Sequence, residues 1–133
     1  PRRSATWFFV ARAPADVSVT VDGSEIDEHQ WVRPDEALEK RARGEIEMMP
    51  PTFVTLTELA ACADVAEVLA RVARREPPVF EPHFVIRAGL PTQSLYAGDA
   101  GYADADPDVP GRRHRVVMGH DRWQYLNEGV VSW

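Results

Sequence analysis

The stretch QWVRPDEALEKRARGEIEMMPPTFVTLTELA, from Gln30 to Ala60, constrains this chain most, because its punctuation admits few local structures. Pro34 suits the first turn of a helix, where its missing N–H costs nothing. Asp35 and Glu36 come next, favourable to the positive end of the helix dipole. Ala37, Leu38 and Ala42 supply an apolar face, and Gly44 stands where a helix stops. Glu45 to Pro50 then reads as a loop. Pro51 and Thr52 open a second helix with Phe53, Leu56, Leu59 and Ala60 at helical spacing. Asp64 is placed as the N-cap of a third helix, lined by Val65, Val68, Leu69 and Val72 and ending near Arg75.

Elsewhere the patterns change. Ala5-Thr-Trp-Phe-Phe-Val-Ala-Arg12 is aromatic and β-branched, and predicts a core strand. Trp7, Phe8 and Phe9 are expected inside. Val17 to Val21 alternates and predicts a half-buried strand. Asp22-Gly23 signals a turn, and Ile26 to Val32 a second core strand, with Trp31 closing the sheet on the first helix. Phe84 to Arg87 predicts a short strand. Leu90 to Gly111, rich in Gly, Pro and Asp, reads as a long irregular loop or flexible tail. His114 to Met118 and Trp123 to Leu126 form a hairpin around Gly119-His120-Asp121.

At 133 residues, one core-bearing domain is the natural size. A net charge of −6 argues against nucleic-acid and anionic-membrane partners. Only one of the 15 basic residues is Lys, Lys40. That Arg richness fits genomic composition bias and also phosphate recognition by the guanidinium fork. The single Cys, Cys62, allows no intrachain disulfide and reads as a small apolar helix residue. No apolar run nears the roughly 20 residues that span a bilayer. No signal peptide precedes the first strand pattern, so the expected compartment is cytoplasmic. A chain that opens directly on a strand pattern is expected to be a fragment, a processed product or half of a split protein.

Trp31-x-x-Pro34-x-Glu36-Ala37-Leu38, and after it Pro50-Pro51-Thr52-x-x-Thr55-Leu56, resembles the C-terminal half of Nudix hydrolases. Within them it is most similar to the branch that contains coenzyme A diphosphatases. The resemblance covers about Ala5 to Phe84. It implies an α/β/α sandwich with a mixed sheet, present here in part, with residues 1–84 belonging to that domain. Residues 85–133 form an irregular loop and β-hairpin extension. The implied reaction is hydrolysis of a diphosphate bond in a nucleoside diphosphate-linked compound, coenzyme A or an acyl-CoA among them, with Mg2+ or Mn2+. The family's signature, G-x5-E-x7-R-E-x2-E-E-x-G, is absent. The one Arg-Glu pair is Arg75-Glu76, and Val79 and Phe80 stand where its two carboxylates belong.

The resemblance therefore implies metal ligands outside this chain, on a missing N-terminal segment or a second chain, with the small-molecule diphosphate as the other partner. This chain alone is expected to be inactive, and a homo-oligomer is allowed. The rival expectation is a non-catalytic binding or interaction module that keeps a remnant of the fold. A small adaptor docking through the C-terminal hairpin is a third.

Chemistry on this side falls to a few residues. Glu45 and Glu47, two apart in the loop between helices, are the candidate catalytic carboxylates; as loop acids in solvent they would need no role. Met48 and Met49 are candidates for an apolar substrate wall, because Met adapts to irregular ligands, and equally for core. Arg33, between a strand end and a helix start, is the candidate phosphate contact. Glu25, Asp27 and Glu28 make an acidic edge. His114, His120 and Asp121 lack the spacing of a strong metal site. Asp99, Asp104, Asp106 and Asp108 match a calcium loop only loosely, without its Gly and terminal Glu.

Overall fold

A computed structural model describes residues 5–20 and 29–132. Helix α1 (Pro34–Ala42), α2 (Pro50–Ala60) and α3 (Val65–Val72) precede four strands, β1 (His83–Val85), β2 (Thr92–Leu95), β3 (His114–Met118) and β4 (Trp123–Asn127). The strands form one open antiparallel sheet in the order β1-β2-β3-β4. The chain is thus an α/β protein in which every strand pairing among the described residues is antiparallel. None of its described helices is long and apolar enough to cross a membrane.

The helix boundaries obey local chemistry. Pro34 and Pro50 each occupy a first turn. At the end of α1, Gly44 adopts φ +72°, a left-handed conformation that a Cβ would strain. There Gly44 N–H donates to Arg41 O at 3.0 Å and Glu45 N–H to Lys40 O at 2.9 Å, the paired closure of a Schellman motif. At α3, Asp64 accepts from Glu67 N–H at 2.9 Å, while Glu67 accepts from Ala63 N–H at 2.7 Å. That backbone bond, together with Arg71, holds the Glu67 carboxyl below its ordinary range. Asp64→Ala is expected to lower stability by about 1 kcal/mol, read as a shift of the urea midpoint. No shift would mean that Glu67 alone holds the helix start.

The sheet has two differently covered faces. Strand residues alternate sides. Val116 and Met118 therefore face one way, opposite Tyr125 and Trp123 across β4. This face packs on α2: Phe53, Val54, Tyr96 and Val116 form the buried core, flanked by Leu38, Met48, Phe80, Met118, Trp123 and Tyr125. Phe80 meets Tyr96 edge-on at 5.1 Å between ring centroids. His114 lies at this core's margin, fully buried. Its Nδ1 is 2.7 Å from the carbonyl of Ala97, which can only accept, so Nδ1 carries the proton. Nε2 then accepts from Tyr125 OH at 3.1 Å. Burial, first, and nearby Glu58 push the Tyr125 phenol up. Glu58 itself is buried on α2 and paired with Arg75 at 3.2 Å. So Arg75 ties the segment after α3 to α2.

The opposite face is covered by the connection between β2 and β3. Leu95 and Val85 are buried there. Asp99 folds back over the sheet and accepts from Gly101 N–H at 2.9 Å and His114 N–H at 2.8 Å. It also meets Arg115 through both oxygens, Nε at 2.7 Å and Nη2 at 2.5 Å. Arg115 spends its remaining Nη1 on Gln93 Oε1 at 3.0 Å and Pro107 O at 2.9 Å. Burial raises the Asp99 carboxyl, but Arg115 and the two backbone donors outweigh it and hold it below its ordinary range.

Several expectations change here. Residues 5–20 form no strand and are exposed, with Trp7 at 75% and Phe9 at 87%. Strand propensity is realised only with a neighbour to pair, and residues 5–20 pair with none of the described strands. Trp31 is 69% exposed and closes no sheet, and no strand occupies residues 29–32. Conversely, the stretch expected as irregular tail contains β2, and the connection beyond β2 is tied to the sheet by Asp99. Asp99, Asp106 and Asp108 are engaged by arginines, the latter two by Arg87, so they do not build a calcium loop. The turn at Asp22-Gly23, the segment 26–28, Val21 and the acidic edge of Glu25, Asp27 and Glu28 lie outside the described residues. The hairpin at residues 114–127 and the three helices form where the sequence predicts them.

Candidate functional site

Residues three and four apart share a helix face. Leu38, Arg41 and Ala42 thus face one way on α1, and Phe53 and Thr57 on α2. Across from them runs the free edge of β4, with Trp123 and Tyr125. Between these elements lies a groove of about 750 Å³. Its wall is ordered by stacking. Arg41 Cζ sits 4.0 Å above the Trp123 ring centroid, a cation–π contact worth about 0.5–2 kcal/mol depending on desolvation. Phe53 meets Trp123 edge-on at 5.5 Å.

The electrostatics of this groove are uneven. Two carboxylates line it, Glu39 and Asp121, and each has a cationic or imidazole neighbour, Arg43 at 3.7 Å and His120 at 2.7 Å. Two arginines line it as well, Arg41 and Arg122. Neither guanidinium makes a hydrogen bond or ion pair among the described residues. Burial draws Arg41 below its ordinary pKa, and Glu47 opposes that shift. Arg41 thus combines a fixed position, partial desolvation and five unspent N–H donors. Such a group is suited to an anion that arrives with apolar surface.

The residues singled out from the sequence divide around this groove. Glu47 is exposed and interacts electrostatically with Arg41, so the loop after α1 lies on the groove's side of the molecule. Glu45 turns to Arg43, whose hydrogen bond holds its carboxyl below the ordinary range. Met48 packs against the core, while Met49 is 67% exposed at the N-cap of α2. Arg33 is exposed and reaches Asp35 at 3.3 Å. A smaller recess of about 370 Å³ lies beside His29, Gln30, Lys40 and Glu45. Its charges are spent locally, Lys40 on Gln30 and Glu36, Glu45 on Arg43.

A divalent cation finds no ready set of ligands. Among the described residues no three of His, Cys, Asp and Glu gather as a site. His114 has both ring nitrogens engaged in the interior, whereas His120 and Asp121 pair on the exposed hairpin turn. The described residues therefore do not fit Mg2+ or Mn2+.

Arg41 was not singled out by the sequence. Its signal was available only as an Arg on the same helical face as Leu38 and Ala42. Its stacking partner lies 82 positions away, beyond any local pattern.

The described residues thus form an α/β unit with an arginine-walled groove at one sheet edge. Comparison with curated proteins gives a more particular likeness. The chain is 29% identical over 127 residues to the Xenopus laevis acyl-coenzyme A diphosphatase NUDT19, a match that covers 94% of this chain. It spans about a third of that relative's length, 33%. This likeness supports a relationship to the Nudix superfamily. No protein-family model matches the chain, and no solved structure matches it.

Proposed function

We propose that this chain is a substrate-side part of a Nudix hydrolase that cleaves a diphosphate bond in a nucleoside diphosphate-linked compound, coenzyme A or an acyl-CoA. One observation carries the reading: the identity to an acyl-coenzyme A diphosphatase extends over 94% of the chain. The groove supports it, because a diphosphate ester is an anion joined to apolar and planar groups. On this reading residues 1–84 belong to an α/β/α sandwich with a mixed sheet, completed by a segment or second chain that carries the Nudix signature. The exposed run of Trp7, Phe8 and Phe9 would be covered in that assembly or in a homo-oligomer. Residues 85–133 are the extension of that domain, and the protein works in the cytoplasm without nucleic acid or membrane.

In that family bound Mg2+ or Mn2+ neutralises phosphate charge and activates water. The ligands for it would come from the completing segment. This chain supplies Glu47, and Glu45 beside it, as the carboxylates near the substrate. Arg33, Met48 and Met49 would flank the substrate.

The test is hydrolysis of coenzyme A and acyl-CoA with magnesium or manganese, by this chain alone and by a protein that joins it to a Nudix signature. The chain alone is expected to release no phosphate monoesters, and the joined protein to release them. Release by the chain alone would show that its own carboxylates suffice. If the joined protein cleaves no diphosphate compound, the reading fails. The alternative, a binding module without catalysis, then stands.

A further inference from the structure

We propose that Trp123, on the C-terminal hairpin, is a positioning residue for the loop of residues 43–49, and that the hairpin thereby sets the working position of Glu47. The part given to Glu47 rests on the diphosphatase reading; the hold on the loop does not. Trp123 touches both helices that bound this loop. Arg41, in the last turn of α1, lays its guanidinium over one face of the ring, 4.0 Å from the centroid. Phe53, in the first turn of α2, meets the same ring edge-on at 5.5 Å between centroids. One indole on β4 thus fixes both where α1 ends and where α2 begins.

The two contacts differ in kind. Phe53 is buried and belongs to the core whatever the loop does. For Arg41, simple packing is a poor account. A core contact calls for an apolar side chain, and Leu38 already supplies one from α1. A cation over an aromatic face adds orientation, because the attraction depends on the charge staying above the ring. The middle of the loop has little else to fix it. Gly44 and Glu45 close α1 through their N–H groups, Glu45 commits its carboxylate to Arg43, and Met48 packs at the margin of the core. Glu47 stands exposed between these anchors. An acid that must meet one water molecule tolerates little displacement, since a misplacement of about 1 Å can cost about 10²-fold in rate. Residues 85–133 then serve catalysis without touching substrate, by holding both ends of the loop that carries the acid.

The experiment has two arms. In the 133-residue chain, amide hydrogen exchange is compared at Gly44 and Glu45, beside the loop acid, and at Val116 and Val117 in β3. Arg41→Met keeps the stem and removes the charge. It is expected to speed exchange at Gly44 and Glu45 by about 3- to 10-fold and to leave β3 unchanged. Arg41→Lys, which keeps a cation to place over the ring, should restore most of the protection. In the protein joined to a Nudix signature, Arg41→Met should lower kcat for an acyl-CoA by about 5- to 10-fold with KM little changed, as for an interaction felt only in the transition state. Arg41→Lys should recover it there too. Trp123→Leu, which keeps apolar volume against Phe53, should match Arg41→Met in both arms. Equal acceleration at Gly44 and Val116 would make the contact merely structural and overturn the proposal. A raised KM with unchanged kcat would make Arg41 a substrate contact, and would overturn it as well. Lost kcat in Arg41→Met beside full activity in Glu47→Gln would refute the link to Glu47. If the joined wild type cleaves no diphosphate compound, the diphosphatase reading fails, and the exchange arm alone decides the hold on the loop.

Discussion

Arg115→Met is expected to cost about 3–5 kcal/mol of folding stability, because it strands a buried carboxylate. That is a large share of the roughly 5–15 kcal/mol that holds a small domain together. Both partners are almost wholly inside, Asp99 at 5% and Arg115 at 4% exposure, so solvent screens the pair little. Replacing both partners by apolar residues should not restore full stability. Asp99 also serves the N–H groups of Gly101 and His114, which would be left without an acceptor. The same geometry sets an acid limit. The unfolded chain protonates Asp99 near the ordinary value, about 3.9, whereas the folded chain holds its carboxyl lower. Falling pH therefore protonates the unfolded state first. The contribution is complete above about pH 5 and is lost as pH falls through the folded value. Urea titrations at pH 7 and at about pH 3 measure both effects. A loss under about 1 kcal/mol for Arg115→Met would show that the pair contributes little more than a surface bridge.

Glu47→Gln, in a protein that joins this chain to a Nudix signature, is expected to lower kcat by about 10²-fold, as for loss of a general base. Glu45→Gln should do less. Glu45 is committed to Arg43 and is held as a weaker base by that bond. The Glu47 carboxylate makes no hydrogen bond among the described residues and interacts electrostatically with Arg41. Both side chains are exposed, so neither substitution should move the urea midpoint by more than about 0.5 kcal/mol. Full activity in both variants would assign the base to the completing segment. A drop in kcat that tracks a loss of stability would instead give the loop a structural role.

These residues also show what a sequence makes visible. The helices are legible because their signals are local: Pro34, Gly44, Pro51 and Asp64 act on backbone within one turn of themselves, although α2 begins one residue earlier, at Pro50. The β3–β4 hairpin was readable for the same reason, its two strands adjoining one turn. Failures came where the decisive partner is distant or missing. Ala5 to Arg12 has the composition of a strand, yet a strand exists only with a second one beside it. Thr92–Leu95 has no strong strand composition and is made a strand by β1 and β3 on either side. Asp99 looked like one acid in an acidic loop until Arg115, 16 positions on, accounted for it. The loop acids Glu45 and Glu47 are singled out by resemblance and position alone. The arginine that organises the wall was missed, since helix and strand meet there only in three dimensions.

The Asp99 tie also bears on how this chain can change over generations. One carboxylate fastens both ends of the connection between β2 and β3, so the ends are fixed, while the tip is an exposed turn closed by its own backbone bond from Ala105 N–H to Tyr102 O at 3.3 Å. Ala103, Asp104 and Ala105 at that tip are exposed. Extra residues inserted there would lengthen a loop that is already closed, at a cost that grows only with the logarithm of its length. An insertion between Asp99 and Gly101 would instead separate the carboxylate from its donors. Gly101 has no room to move: a Cβ there would fall 1.8 Å from the carbonyl oxygen of Asp106. Length variation among descendants of this chain should therefore gather at residues 103–105 and avoid residues 99–101.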